Sequence, residues 1–234
     1  MDALARLAPV ARPLLRQVDN ALATLGAPAE HPVWGLLRRV GATPADAVSF
    51  FADLEPDRLR AAADQLQSQA DGYAVAAVPS RLSGWEGATA EVYATQAAGQ
   101  AAHLHIGLVE QLRSSASYVD AVADWYAGAR DELAHCLAEV LGSRQAITVR
   151  SQAALGGGLA EVMRDRNAAS TGDGLTTAVR AAADIGVAVL GVAEDAVTRG
   201  GELHRRWGPE LSELNYRAPV HTEPMSDGTI RLHH

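Results

Sequence analysis

The sequence predicts an all-α protein, an elongated helical bundle built from two successive helical hairpins with a cap of short N-terminal helices. Apolar residues recur at helical spacing through most of the 234 residues. The segment Leu82–Ala88 interrupts this pattern with two glycines, which favour a tight reversal of the chain. No proline occurs from Val92 to Leu141, so a single helix of roughly 75 Å is possible there.

Composition excludes several classes of protein. The net charge is −8 and there is no run of Lys or Arg, so we expect no nucleic-acid partner. One cysteine, Cys136, rules out an internal disulfide framework. Residues 1–25 lack the compact apolar core of an ordinary signal peptide. The longest apolar run, Ile185–Ala193, is shorter than the ~20 residues that span a bilayer, so no integral membrane segment is expected.

Residues 1–54 are expected to form short helices that pack as a cap. An apolar helical stripe fills the first 26 residues, and Pro9 and Pro13 predict that this helix begins at about Pro13 or is kinked there. Gly41 closes a second, short helix. Thr43 followed by Pro44 predicts the start of a third, because threonine caps helices and proline is favoured at the first helical position.

Residues 55–142 are predicted to form the first hairpin, which turns at Gly84, Trp85 and Gly87. Both arms carry an apolar seam in which spacings of four and three alternate, as in coiled coils. In the first arm the seam is Leu59, Ala63, Leu66, Ala70, Tyr73 and Ala77. In the second it is Leu108, Leu112, Ser115, Val119, Val122, Tyr126, Ala129, Leu133, Cys136 and Val140. The first arm is about half as long, so the C-terminal half of the second needs another element to cover it.

Six of these seam residues are the candidate interaction surface: Leu108, Leu112, Val119, Val122, Tyr126 and Leu133. Residues 143–207 are predicted to form a second hairpin that completes the bundle, with Ser143 as its first cap and a turn over Ser170–Gly174. Gly156–Gly158 predicts a close crossing or a break. Small residues dominate the seam of the final helix, which allows close contact with its neighbour. Residues 208–234, after Gly208 and Pro209, are expected to be an extended or disordered tail.

No catalytic residue, metal ligand or cofactor site is expected, and the chain is not predicted to be an enzyme. His103 and His105 are two residues apart, so on a helix they face different directions and cannot share one ion. His135 and Cys136 are adjacent, so on a helix they also face different directions and cannot act as a catalytic pair. The acidic doublets Asp131-Glu132 and Glu194-Asp195 are interpreted as solvated surface charge.

The corner of the first hairpin resembles the WXG family, the helical hairpins of type VII (ESX) secretion systems. Trp85-Glu86-Gly87 is followed by small residues, by Glu91 and by Tyr93, and Glu55–Leu59 is similar to the way these domains begin. The resemblance covers about residues 55–142. It implies a non-enzymatic protein that pairs with itself or with another helical hairpin as a four-helix bundle. It also implies export through a type VII system, to the medium or cell surface, without a cleaved signal; a cytoplasmic location is the alternative.

The sequence departs from the family in one respect. Substrates of that system commonly carry Tyr-x-x-x-Asp/Glu, and none of the five tyrosines has an acid at the fourth position after it. Either a partner carries the signal, or this chain keeps the fold without export. Two other functions stay open. One is a self-contained bundle that binds an apolar ligand or a membrane surface through the small-residue seam of Gly186–Gly200. The other is a cytoplasmic acidic regulator or immunity-type protein.

Overall fold

The structure is a computed structural model that describes residues 2–76, 86–155 and 169–213. The described α-helices, in chain order, are α1 (Ala3–Thr24), α2 (Val33–Val40), α3 (Pro44–Ala52), α4 (Pro56–Ala76), α5 (Ala88–Ala102), α6 (Glu110–Leu141), α7 (Arg144–Leu155) and α8 (Ala169–Glu213). A π-helical segment, His103–Val109, joins α5 directly to α6. No strand occurs in these three ranges, and the predicted all-α helical bundle is confirmed.

The first helix is longer than expected. It begins at Ala3, where the Asp2 carboxylate accepts a hydrogen bond from the Ala5 N–H at 2.8 Å. Pro9 and Pro13 lie inside it with exposed side chains, so the predicted start at Pro13 is wrong. Each proline removes one backbone hydrogen bond, but the Asp2 cap and the buried Leu4 hold the first turns in place.

The other N-terminal boundaries follow their local signals. Gly26 and Gly41 have left-handed φ angles of 74° and 69°, which suits the ends of α1 and α2. The Thr43 hydroxyl accepts a hydrogen bond from the Asp46 N–H at 3.3 Å, and Pro44 is the first residue of α3. The core lies where α1, α2, α3 and α7 meet the C-terminal part of α6 and the N-terminal part of α8.

Helix α4 packs antiparallel along the π-helical segment and α6. Arg60 pairs with Asp124 at 3.0 Å, and Arg113 pairs with Asp71 at 3.1 Å. From Arg60 to Asp71 the chain runs forward along α4, while the partner residues run backward along α6, as in an antiparallel pair. The seam of α4 is buried at Ala63 and Ala70, whereas Tyr73 is 44% exposed. The C-terminal half of the second arm is covered by α1 and α8, as the unequal arms required.

Helix α8 runs antiparallel to α6 and approaches it closely. The indole Nε1 of Trp125 donates to the Ala196 carbonyl at 2.8 Å. A Cβ atom at Gly200 would overlap the Trp125 ring, so a larger residue there requires the ring to move. At Gly186, an added Cβ atom would lie 3.0 Å from a methyl carbon of Val33, which is a tight contact. The small-residue seam of α8 is therefore used for helix contact at both places, rather than to line a cavity.

Two boundaries of the second hairpin differ from the prediction. Residues Ser170–Gly174, predicted as a turn, belong to α8, and α8 continues through Gly208 and Pro209 to Glu213. A glycine costs a helix only about 1 kcal/mol, which the packing of α8 on α7 outweighs. Pro209 lies inside α8, where it removes one backbone hydrogen bond. Gly84, Trp85, Gly156–Gly158 and the tail 214–234 lie outside the described residues.

Arg130 of α6 connects three segments of the chain. Its side chain is buried, and Nε donates to the Asp2 carboxylate at 2.6 Å. Nη1 donates to the carbonyl oxygens of Phe51, Ala52 and Leu54 at 2.6 to 2.7 Å. These carbonyls end α3, where the helix dipole favours a cation. The bond from Arg130 also holds the pKa of Asp2 below its ordinary value.

We predict that Arg130→Met lowers the free energy of unfolding by about 3 kcal/mol, because it leaves a carboxylate and three carbonyls without their donor. Urea unfolding followed by circular dichroism measures this. Arg150→Met is the control, because Arg150 is exposed on α7 and should change the value by less than about 0.5 kcal/mol. Equal effects of the two substitutions would contradict the role assigned to Arg130.

Adjacent glycines of α8 give a second prediction with its own control. Gly200→Ala should destabilise the fold by about 1–3 kcal/mol, because the new methyl group displaces the hydrogen-bonded Trp125 ring. A methyl group added at Gly201 would meet no neighbouring atom within 4 Å, so Gly201→Ala should stabilise the helix by up to about 1 kcal/mol. Thermal unfolding of both variants distinguishes these signs, and a stabilising Gly200→Ala would refute the close contact.

Candidate interaction surface

The described parts of the helices on either side of α6 both extend close to the π-helical segment. In the register set by the two Arg–Asp pairs, Ala76 at the end of α4 comes opposite Leu108. On the other side, the Ser114 hydroxyl donates to the Glu210 carboxylate at 3.0 Å, close to the end of α8 at Glu213. The described parts of α4 and α8 therefore reach about the same level along the second arm.

Helix α5 continues past this level without a described helix on its flank. None of its residues is buried, and Val92 and Tyr93 are 66% and 46% exposed. Among the described elements, α5 has most of its contacts with the π-helical segment that continues it along the chain. Neighbouring exposed apolar side chains of this kind are a common feature of protein–protein interaction sites. We therefore take α5, Ala88–Ala102, as the candidate interaction surface.

Gly87 is the one residue of the predicted turn motif that lies within the described residues. Its φ of 105° is in the range that only glycine adopts easily, and its carbonyl accepts from the N–H groups of Ala90 and Glu91 at 2.9 and 3.1 Å. Gly87 thus allows α5 to begin where it does. The roles predicted for Gly84 and Trp85 stay predictions.

The six predicted seam residues divide into two groups. Leu108, Leu112, Val119, Val122 and Tyr126 are half-buried. Leu133 is fully buried in the core, so it is not available to a partner. Helix α5 was not part of the surface predicted from the sequence. The sequence did contain one indication of it, a low density of charge. From Glu86 to Leu112 the only charged side chains are Glu86, Glu91 and Glu110, with the histidines neutral.

Three of the residues considered for catalysis, Cys136, Glu132 and Glu194, are buried or paired in the structure. Burial raises the pKa of the Cys136 thiol to about 11, with a smaller contribution from Glu139. A thiol held in this state is a poor nucleophile at neutral pH. Glu132 pairs with Arg199, and Glu194 binds Arg39 through both carboxylate oxygens. That second interaction holds the pKa of Glu194 below its ordinary value. These acids connect helices and are not simply solvated.

A cleft of about 300 Å³ lies between α1 and α3. Arg12 and Arg16 line it from α1, and Asp46, Ser49 and Asp53 line it from α3. Opposite charges face each other across the cleft, which does not suit the apolar ligand considered from the sequence. No residue of the predicted seam contributes to it.

Helix α8 is the described helix whose length and composition would allow it to cross a membrane. Within Gly174–Ser212 its most apolar window has a mean hydropathy of 1.5. In the structure this helix packs against α1, α2, α3, α6 and α7, which accounts for its apolar character within the bundle. The absence of a membrane segment stays a prediction.

Comparisons with known proteins return no relative of this chain. It matches no protein-family model, no curated protein and no solved structure.

Proposed function

We propose that the chain is a non-enzymatic helical interaction protein similar to the WXG-type substrates or co-substrates of type VII secretion systems. In this role it pairs with another helical hairpin protein or with a second copy of itself. The observation that carries the proposal is α5, a fifteen-residue helix with no buried residue that extends from an otherwise packed hairpin.

Two features of the arms support pairing rather than catalysis. The long second arm is covered on both sides up to the π-helical segment and then continues beyond the described parts of α4 and α8. π-helical turns are frequent at functional sites, because they change the direction that side chains face. A partner helix laid on α5 would continue the packing that α4 provides farther along the arm.

The proposed route of export follows from the resemblance at the turn, not from the packing. Because the chain lacks Tyr-x-x-x-Asp/Glu, the partner would carry the signal and the pair would leave the cell together. The chain would then reach the medium or the cell surface without cleavage.

Co-expression with the helical hairpin protein encoded beside it tests the proposal. We expect a stable complex of one chain of each, or a homodimer if no such neighbour exists, measured by size-exclusion chromatography with light scattering. A hairpin protein taken from an unrelated locus is the control and should not bind. A chain that stays monomeric alone and with its neighbour would contradict the proposal.

A further inference from the structure

The cleft between α1 and α3 combines an apolar floor with charged walls. Its volume of about 300 Å³ is at the lower end of the range for small-molecule sites. The buried side chains of Ala8, Leu15 and Val48 line it and carry no charge. Arg12 and Arg16 line it from α1 and are exposed. They are four residues apart, so their guanidinium groups lie on the same side of the cleft.

The wall on α3 is acidic. Asp46, Ser49 and Asp53 are exposed, and they follow one another at spacings of three and four, so they lie on one face of the helix. The wall therefore offers two carboxylates with a hydroxyl group between them. Carboxylates accept hydrogen bonds and carry negative charge, so this wall suits a cationic donor.

Contacts near both ends of the two helices fix the walls against each other. Near the end of α1, the Asp19 carboxylate accepts a hydrogen bond from the hydroxyl group of Thr43, the residue that caps the start of α3, at 3.0 Å. At the start of α1 and the end of α3, Asp2 and Phe51 both accept from Arg130. Helices α1 and α3 are therefore antiparallel.

This arrangement brings opposite charges to the same level without pairing them. Arg16 lies three residues before Asp19, and Asp46 lies three residues after Thr43, so Arg16 and Asp46 are level across the cleft. None of the four charged side chains of the cleft forms an ion pair with a described residue. Other arginines of the described chain are paired with acids: Arg39, Arg58, Arg60, Arg113, Arg130 and Arg199.

Asp19 adds negative charge beside the acidic wall. Its Oδ1 atom is buried and has no hydrogen-bond partner in the described structure. Burial raises the pKa of this carboxyl group, and the negative charge of Asp46 acts in the same direction. A cation bound at Asp46 would offset this repulsion, so this end of the cleft favours a positively charged group.

A ligand with a single charge does not suit both walls. A simple anion held by the arginines lies opposite two carboxylates, and a simple cation held by the aspartates lies opposite two guanidinium groups. A ligand that carries both charges gives each wall its counter-charge.

We infer that this cleft binds a small zwitterion, whose carboxylate pairs with Arg12 and Arg16 and whose ammonium group pairs with Asp46 and Asp53. The volume of the cleft suits a free amino acid or a dipeptide. Its short apolar side chains would lie on the floor of the cleft. This site is separate from α5 and goes beyond the proposed function.

Three matched probes test the need for both charges. Dialanine carries an ammonium group and a carboxylate, N-acetyl-dialanine lacks the ammonium group, and dialanine amide lacks the carboxylate. Titration of the full-length, ¹⁵N-labelled chain at pH 7, followed by NMR, measures binding of each probe. We expect dialanine to bind about tenfold more tightly than either analogue, because only dialanine pairs with both walls. The amides that shift should be those of residues 8–16 and 45–53.

Substitutions in the two walls should act on different charges of the probe. Arg12→Gln combined with Arg16→Gln should weaken dialanine about tenfold, to the affinity of its amide. Arg6→Gln is the control, because Arg6 is exposed on α1 and does not line the cleft, and it should leave binding unchanged. Asp53→Asn should weaken dialanine but not N-acetyl-dialanine. All these side chains are exposed, so circular dichroism should stay constant.

Several results would overturn the site. These are the absence of saturable dialanine binding, an analogue that binds as tightly as dialanine, or shifts that fall outside the two helices. Equal effects of Arg6→Gln and of the double substitution would also overturn it. None of these results bears on the co-expression experiment, which tests the proposed function separately.

Discussion

The buried guanidinium of Arg130 is the constraint from which the arrangement of the arms follows. It holds the carboxylate that caps α1 and the carbonyls that end α3, and one of its acceptors is Leu54, just before α4 begins. The first turn of α4 is therefore fixed beside the middle of α6. From that point the Arg60–Asp124 and Arg113–Asp71 pairs set the register. The register of the described part of α4 along the long arm depends on this attachment.

Small residues allow the long helices to approach each other closely at two interfaces. Between α4 and α6, alanines seven residues apart meet across the interface and oppositely charged residues close the flanks. Between α6 and α8 the close approach is made by glycine, with the Trp125 ring lying over Gly200. The first of these contacts is centred on alanines rather than on large apolar side chains. An interface of this kind has limited apolar area, so its specificity comes from shape and from the placement of charges.

Much of the fold could be predicted where local chemistry decides it. Thr43 with Pro44 and the left-handed Gly41 and Gly87 mark helix ends because their backbone preferences are strong. Spacing predicted the buried Ala63 and Ala70 of the first arm, whereas on α6 the buried Ala116 and Ala123 lie one residue away from the predicted seam. The errors occurred where packing outweighs local preference. Pro9 and Pro13 lie inside α1, and Ser170–Gly174 is helical.

The candidate interaction surface was harder to predict from the sequence than the fold. Helical spacing shows which face of an arm is apolar, but not how far the opposite arm reaches along it. The register of the two arms depends on Arg130, whose contacts join residues distant in sequence. One repeated pattern was readable in the sequence: Arg60, Ala63, Ala70 and Asp71 on α4 have the same spacing as Arg113, Ala116, Ala123 and Asp124 on α6. It becomes meaningful only when the two ion pairs show that the copies face each other.

Hydrogen–deuterium exchange of the isolated chain tests the uncovered helix most directly. Amides of α5, residues 88–102, should exchange about a hundredfold or more faster than those of α6 from Ala123 to Val140, because α5 opens without disturbing the core. Equal protection of the two segments in the monomer would mean that another part of the chain already covers α5, and the account of an open interaction surface would be wrong.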